Sequence, residues 1–77
     1  MTASDRVRVS VSTGATRCER RTCPFTAMIS IHINDRSINR TYDMCWLHWR
    51  NLVALHANGG ASVHYEDQAV ELIARAN

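Results

Sequence analysis

Four residues constrain this chain more than anything else in it: Cys18, Cys23, Cys45 and His48, spaced C-x4-C-x21-C-x2-H. Tetrahedral zinc takes four soft or borderline ligands, and two short-range pairs on separate elements supply them with little loop strain. With 77 residues the chain makes one small domain, residues 1–77, and buries only about 60% of its unfolded surface. Such a domain benefits from a structural metal as a staple. Three cysteines are an odd count, which argues against a pure disulfide framework. Two other arrangements stay open. A Cys18–Cys23 disulfide would leave Cys45 as a small buried hydrophobe and His48 on the surface, and an iron–sulfur cluster would use the thiolates instead.

The local context favours one structural zinc ion. Arg17 to Pro24 reads as a tight loop closed by the proline. Tyr42-Asp43-Met44-Cys45-Trp46-Leu47-His48 reads as a helix start, with Asp43 as N-cap and the two ligands three residues apart on one face of the first turn. The positive end of that helix would favour the thiolate of Cys45.

Around the ligands the pattern is α+β. Asp5 to Ser12 alternates with Val7, Val9 and Val11 on one face, and Ala27 to Asn34 alternates with Ile29, Ile31 and Ile33. Thr13 to Thr16 forms a turn, and Asn34 to Ser37 turns into a third strand, Ser37–Tyr42, as a hairpin. A helix is expected over Met44–Ala57, stopped by Asn58-Gly59-Gly60, with a core stripe of Cys45, His48, Trp49, Leu52 and Leu55. A second helix is expected over Tyr65–Ala76, with Tyr65, Ala69, Leu72, Ile73 and Ala76 inward and Glu71 and Arg75 paired on the wet side.

A loop bearing two cysteines, a β-hairpin, and a helix that opens with the last two ligands resemble a treble-clef zinc finger across roughly residues 17–57. The resemblance implies Cys18 and Cys23 as knuckle ligands and Cys45 and His48 as helical ligands. The usual knuckle is C-x2-C, so the x4 spacing here implies a widened one. Residues 29–55, and Tyr42-Asp43-Met44-Cys45 above all, are also similar to small zinc proteins of actinobacteria and their phages, which carry a Y-D-L-C-x2-H helix start. The strand at Val7–Val11 and the helix at about 65–76 would be additions that cover this unit.

Charge and composition bound the function. All nine cations are arginine, against seven acidic residues, for a formal charge of +2. Arg17, Arg20 and Arg21 in the knuckle, Arg36 and Arg40 on the hairpin and Arg50 on the helix would bind several phosphates if they converged. Trp46, Arg50 and Val53 are instead the residue types of a protein interface, one that could also serve an adaptor that homodimerises. The expected role is a non-catalytic zinc-finger module for a protein or nucleic-acid partner, in transcription or its regulation. An alternative is a sequence-independent nucleic-acid binder acting through the arginine-bearing knuckle and hairpin.

Enzymatic chemistry is not expected. A four-ligand Cys3His centre leaves no open position for an activated water. His64-Tyr65-Glu66 matches the H-x-E half of a zinc-deaminase signature, but no P-C-x-x-C half follows. His32, His56 and His64 form no second metal pattern. No apolar run approaches the roughly 20 residues needed to cross a bilayer, and Met1 to Arg6 lacks the features of a signal peptide, so a soluble, cytoplasmic protein without membrane partners is expected.

Overall fold

The computed structural model describes residues 5–14 and 16–76. The expected turn through Ala15, and the reading of the first four residues, lie outside it. In chain order the elements are β1 (Arg6–Val11), β2 (Ile29–Asn34), β3 (Asn39–Met44), α1 (Trp49–Asn58), β4 (Ser62–Tyr65) and α2 (Asp67–Ala76). The strands form one sheet in the order β3-β2-β1-β4. β1 runs antiparallel to β2, and β2 to β3, while β4 lies parallel to β1. The fold is α+β, as expected: one sheet with both helices packed on a single face.

Alternation dictates which face that is. Register sets Val7 opposite Ile33 and Val9 opposite Ile31, and on the other side Val7 opposite Val63. Because side chains on a strand alternate between faces, these residues share one side of the sheet. Val7, Val9, Ile29, Ile31 and Ile33 are all buried there, in one cluster with Trp49 and Val53 of α1 and Ala69 of α2. The opposite face carries Arg6, Arg8, Ser10, Ser30, His32 and Asn34, and among the described residues no helix packs on it.

The hairpin turn is built by Asp35. Its Oδ1 accepts the backbone N–H of Ser37 at 2.8 Å and of Ile38 at 2.7 Å, while its own N–H donates to the Ile38 carbonyl. This side-chain-closed turn replaces the missing glycine of a tight hairpin. Those donors, Ser37 first and Ile38 second, hold the Asp35 carboxyl below the ordinary carboxylate range.

Several expected boundaries move. β3 begins and ends two residues later than the sequence pattern suggested, because Met44 continues the buried row opposite Ile29. The helix therefore starts at Trp49 and not at Met44. Asp43 is not its cap: it lies in β3, where its carboxylate accepts hydrogen bonds from Ser30 and Thr16. Leu55, expected in the core stripe, is 68% exposed, and Val11 is also exposed at the open end of β1. Residues 62–65 form a fourth strand, so Tyr65 precedes α2 and packs its ring edge-on against Trp49, 6.4 Å between centroids. The Glu71–Arg75 pair forms as expected, at 3.7 Å.

α1 ends where the sequence placed its stop. The Gly60 N–H donates to Ala57 and the Ala61 N–H to His56, a reverse turn that needs the left-handed φ of +100° found at Gly60. The chain then leads directly into β4.

Candidate metal centre

The centre is assembled from three places in the fold. Cys18 and Cys23 sit on the loop between β1 and β2, folded back by Cys18 N–H to the Phe25 carbonyl (2.8 Å) and Cys23 N–H to the Arg20 carbonyl (3.0 Å). An isolated bridge between Arg17 and Thr26 closes the base of that loop. Cys45 follows β3, and His48 stands at the N-cap of α1.

The last pair is held by a turn and not by a helix. The N–H groups of His48 and Trp49 both donate to the Cys45 carbonyl, each at 3.2 Å. Residues 46–48 thus form one tight turn ahead of α1. The His48 side chain makes no capping hydrogen bond, because its imidazole is turned toward the thiols. The two side chains come together as the spacing implies, but on a turn where the sequence suggested a helix.

Geometrically the four donors fit one ion. Their ligand atoms all lie within 4.8 Å of one another. Cys23 Sγ is 3.7 Å from Cys45 Sγ, and His48 Nδ1 is 3.2 Å from Cys45 Sγ and 3.7 Å from Cys18 Sγ. A tetrahedral ion at ordinary zinc–ligand distances spaces its donors about 3.6–3.8 Å apart. All three cysteines are free thiols, with no Cys18–Cys23 disulfide. Among the described residues no other group of three or more His, Cys, Asp or Glu is so arranged.

Electrostatics point the same way. Burial pushes the Cys18 thiol up, but backbone N–H groups of Cys45 and Arg20, with the His48 and Cys45 side chains, outweigh it and bring it from 9.0 down to about 7. Cys23 receives a similar backbone bond from Phe25, yet burial and the thiols of Cys45 and Cys18 leave it above its ordinary value. One sulfur is thus prepared as a thiolate while its neighbour resists a second negative charge. A cation among them removes that conflict. The backbone donors then serve as the outer shell that orients ligating sulfurs.

Glu19 braces the loop against the sheet. Its backbone N–H donates to the Asp43 carbonyl (2.8 Å), and its carboxylate accepts the Asp43 N–H (2.9 Å) and the Arg40 guanidinium (2.6 Å). These bonds also cover part of the free edge of β3. At the loop tip Thr22 has φ of 65°, a left-handed conformation unfavourable for a β-branched residue. The four-residue spacing between Cys18 and Cys23 is turned through this strained position. Thr22→Gly is therefore expected to stabilise the metal-loaded chain by about 1 kcal/mol, read as a higher melting temperature; an unchanged or lower one would mean the strain is absent.

The remaining site candidates do not gather in one place. Arg17, Arg20 and Arg21 share the knuckle, whereas Arg36 lies in the hairpin turn at the far end of β2, about 20 Å along a six-residue strand. Arg40 is engaged by Glu19 and stacks over Tyr42 at 4.4 Å, and Arg50 lies over Trp49 at 5.4 Å. The single arginine patch envisaged from the sequence is not formed. Val53, an interface candidate, is 6% exposed and belongs to the core, while Trp46 is half-buried and Arg50 exposed. Sequence reasoning missed Phe25, Met28 and Leu47, which are exposed beside Trp46 around a shallow hollow next to Cys45. Three bulky residues flanking the ligand pairs were the available signal.

Against known proteins, the chain matches no family model, no curated protein and no solved structure. What the site defines is a small α+β protein with one candidate metal centre. No helix among the described residues is long and apolar enough to cross a membrane.

Proposed function

We propose that this protein is a non-catalytic binding module folded around one structural zinc ion held by Cys18, Cys23, Cys45 and His48. The observation that carries the reading is the convergence of three sulfurs and one imidazole nitrogen within 4.8 Å. Thiolate-rich sets of this kind select zinc over harder divalent ions, and four protein ligands leave no vacant position for substrate or water. Zinc bound here supplies a cross-link, not a reaction. The treble-clef likeness is supported by the order of knuckle, hairpin and C-x2-H turn leading into a helix, with the knuckle widened at Thr22.

A macromolecular partner is the natural role for so small a closed centre. Dispersal of the arginines weakens the case for a phosphate-binding surface, and the exposed side chains around Trp46 favour a protein. Native mass spectrometry of protein purified without chelator tests the metal. One zinc per chain is expected, with an X-ray absorption shell of three sulfurs near 2.3 Å and one nitrogen near 2.0 Å, both about the usual values. An apo mass two hydrogens light would mean a disulfide and overturn the reading.

A further inference from the structure

A hollow beside the centre is lined by Phe25, Thr26, Met28, Cys45, Trp46 and Leu47, with no charged side chain among them. Phe25 is 54% exposed, Met28 40% and Leu47 66%. Single exposed hydrophobics are ordinary, but three around one hollow with a half-buried tryptophan are a patch of the kind that marks an interaction site. Nothing in the core explains their type, since none of the three belongs to the buried cluster.

The charge at its rim identifies the partner. Arg17 faces Thr26 across the bridge at the base of the knuckle, and Thr26 is part of the hollow. Arg20 and Arg21 lie on the four-residue loop between Cys18 and Cys23, whose tip extends no more than about 7 Å from its ends. All three are exposed, and no ion pair engages them among the described residues. The one acid of the loop, Glu19, is already committed to Arg40 and the Asp43 N–H. Cys18 N–H donates to the Phe25 carbonyl, so the loop that carries these guanidinium groups begins beside the hollow, and no salt bridge engages them among the described residues.

We infer that this face docks an acidic protein segment that inserts a bulky apolar side chain into the hollow and sets carboxylates against Arg17, Arg20 and Arg21. Guanidinium forks suit carboxylates in bidentate pairs. Thr26, the cysteine and the indole N–H of Trp46 are the lining's only polar side-chain groups, too few to read a series of base edges, which disfavours nucleic acid. This inference rests on the structural-metal reading, because Cys45 forms one wall and the Cys18–Cys23 loop bears the rim.

A display library of random 16-residue peptides, selected on the metal-loaded full chain, tests it. Enrichment of peptides combining Leu, Phe or Trp with Asp and Glu is expected. The consensus peptide should bind less tightly at high salt, and about tenfold or more weakly to Phe25→Ser/Leu47→Ser and to Arg17→Glu/Arg20→Glu/Arg21→Glu. Its amide shift changes should centre on Phe25, Met28, Trp46 and Leu47. No enrichment, selected peptides without acids, or equal binding by either variant would overturn it. So would a DNA duplex, or vesicles containing phosphatidylserine, engaging the patch when no peptide does. Zinc content and amide dispersion are measured on every sample. A folded, zinc-loaded chain that selects nothing defeats the docking inference alone, whereas a chain without zinc defeats the reading beneath it.

Discussion

Cys45→Ser, or Cys18→Ser, is expected to unfold the domain. Each removes one of four donors and leaves the other three as mutually repelling or unpaired groups. Apparent binding energies of structural zinc in small domains are roughly 10–16 kcal/mol near neutral pH. The hydrophobic core of a chain this small rarely supplies more than about 3–5 kcal/mol by itself. Loss of the ion therefore exceeds what the core can hold. Collapse of amide dispersion in a proton–nitrogen NMR spectrum is the expected result for both variants and for the parent after chelation. His64→Ala, on the exposed face of β4, is the control and should change little. A folded, metal-bound Cys45→Ser chain would show that another group completes the centre. Zinc takes thiolates and neutral imidazole as ligands, so protons compete for the site and affinity falls as pH falls.

Ile31→Ala should produce the second largest change. Ile31 is fully buried at the middle of β2, between Val9 on one side and Tyr42 on the other. Truncation removes most of a packed side chain and leaves a cavity, a loss of about 2–5 kcal/mol. For a domain this small that corresponds to a fall of roughly 10–30 °C in melting temperature. Zinc should still bind, because the ligands sit beyond the ends of the strand. A drop of only about 5 °C or less would mean the sheet does not carry the core as described.

How much of this was legible from the sequence depends on how local each feature is. The ligand pairs were readable because metal chemistry demands particular residue types at short spacing, whichever backbone presents them. Strands β1 and β2 were readable because alternation of Val and Ile with polar residues is the signature of a half-buried strand. The start of α1 was not, because Asp43 is equally suited to capping a helix and to accepting hydrogen bonds in a strand. Only the pairing of Met44 with Ile29 decides between them. β4 is four residues long and pairs in parallel with a strand some fifty-five positions earlier, a partnership no window of sequence reveals. Burial of Val53 and exposure of Leu55 depend on where α2 lands. The arginines are spaced as if to converge, but the length of the hairpin keeps Arg36 from the loop, and Arg40, which does reach it, is engaged by Glu19.

The strand order has a consequence for how the molecule comes into being. β1 leaves the ribosome before the other described strands yet ends in the interior of the sheet, and one of its two neighbours, β4, is the last strand to follow it. The helix that packs most closely on β1, α2, is made after the other described elements. By then Cys18, Cys23, Cys45 and His48 have all been synthesised, together with the hairpin between them. Metal capture can thus precede completion of the core, tying the knuckle to the hairpin while Val7 and Val9 still await their cover. An extension at the C-terminus would burden that last docking step, whereas one at the N-terminus would burden the strand on which it closes.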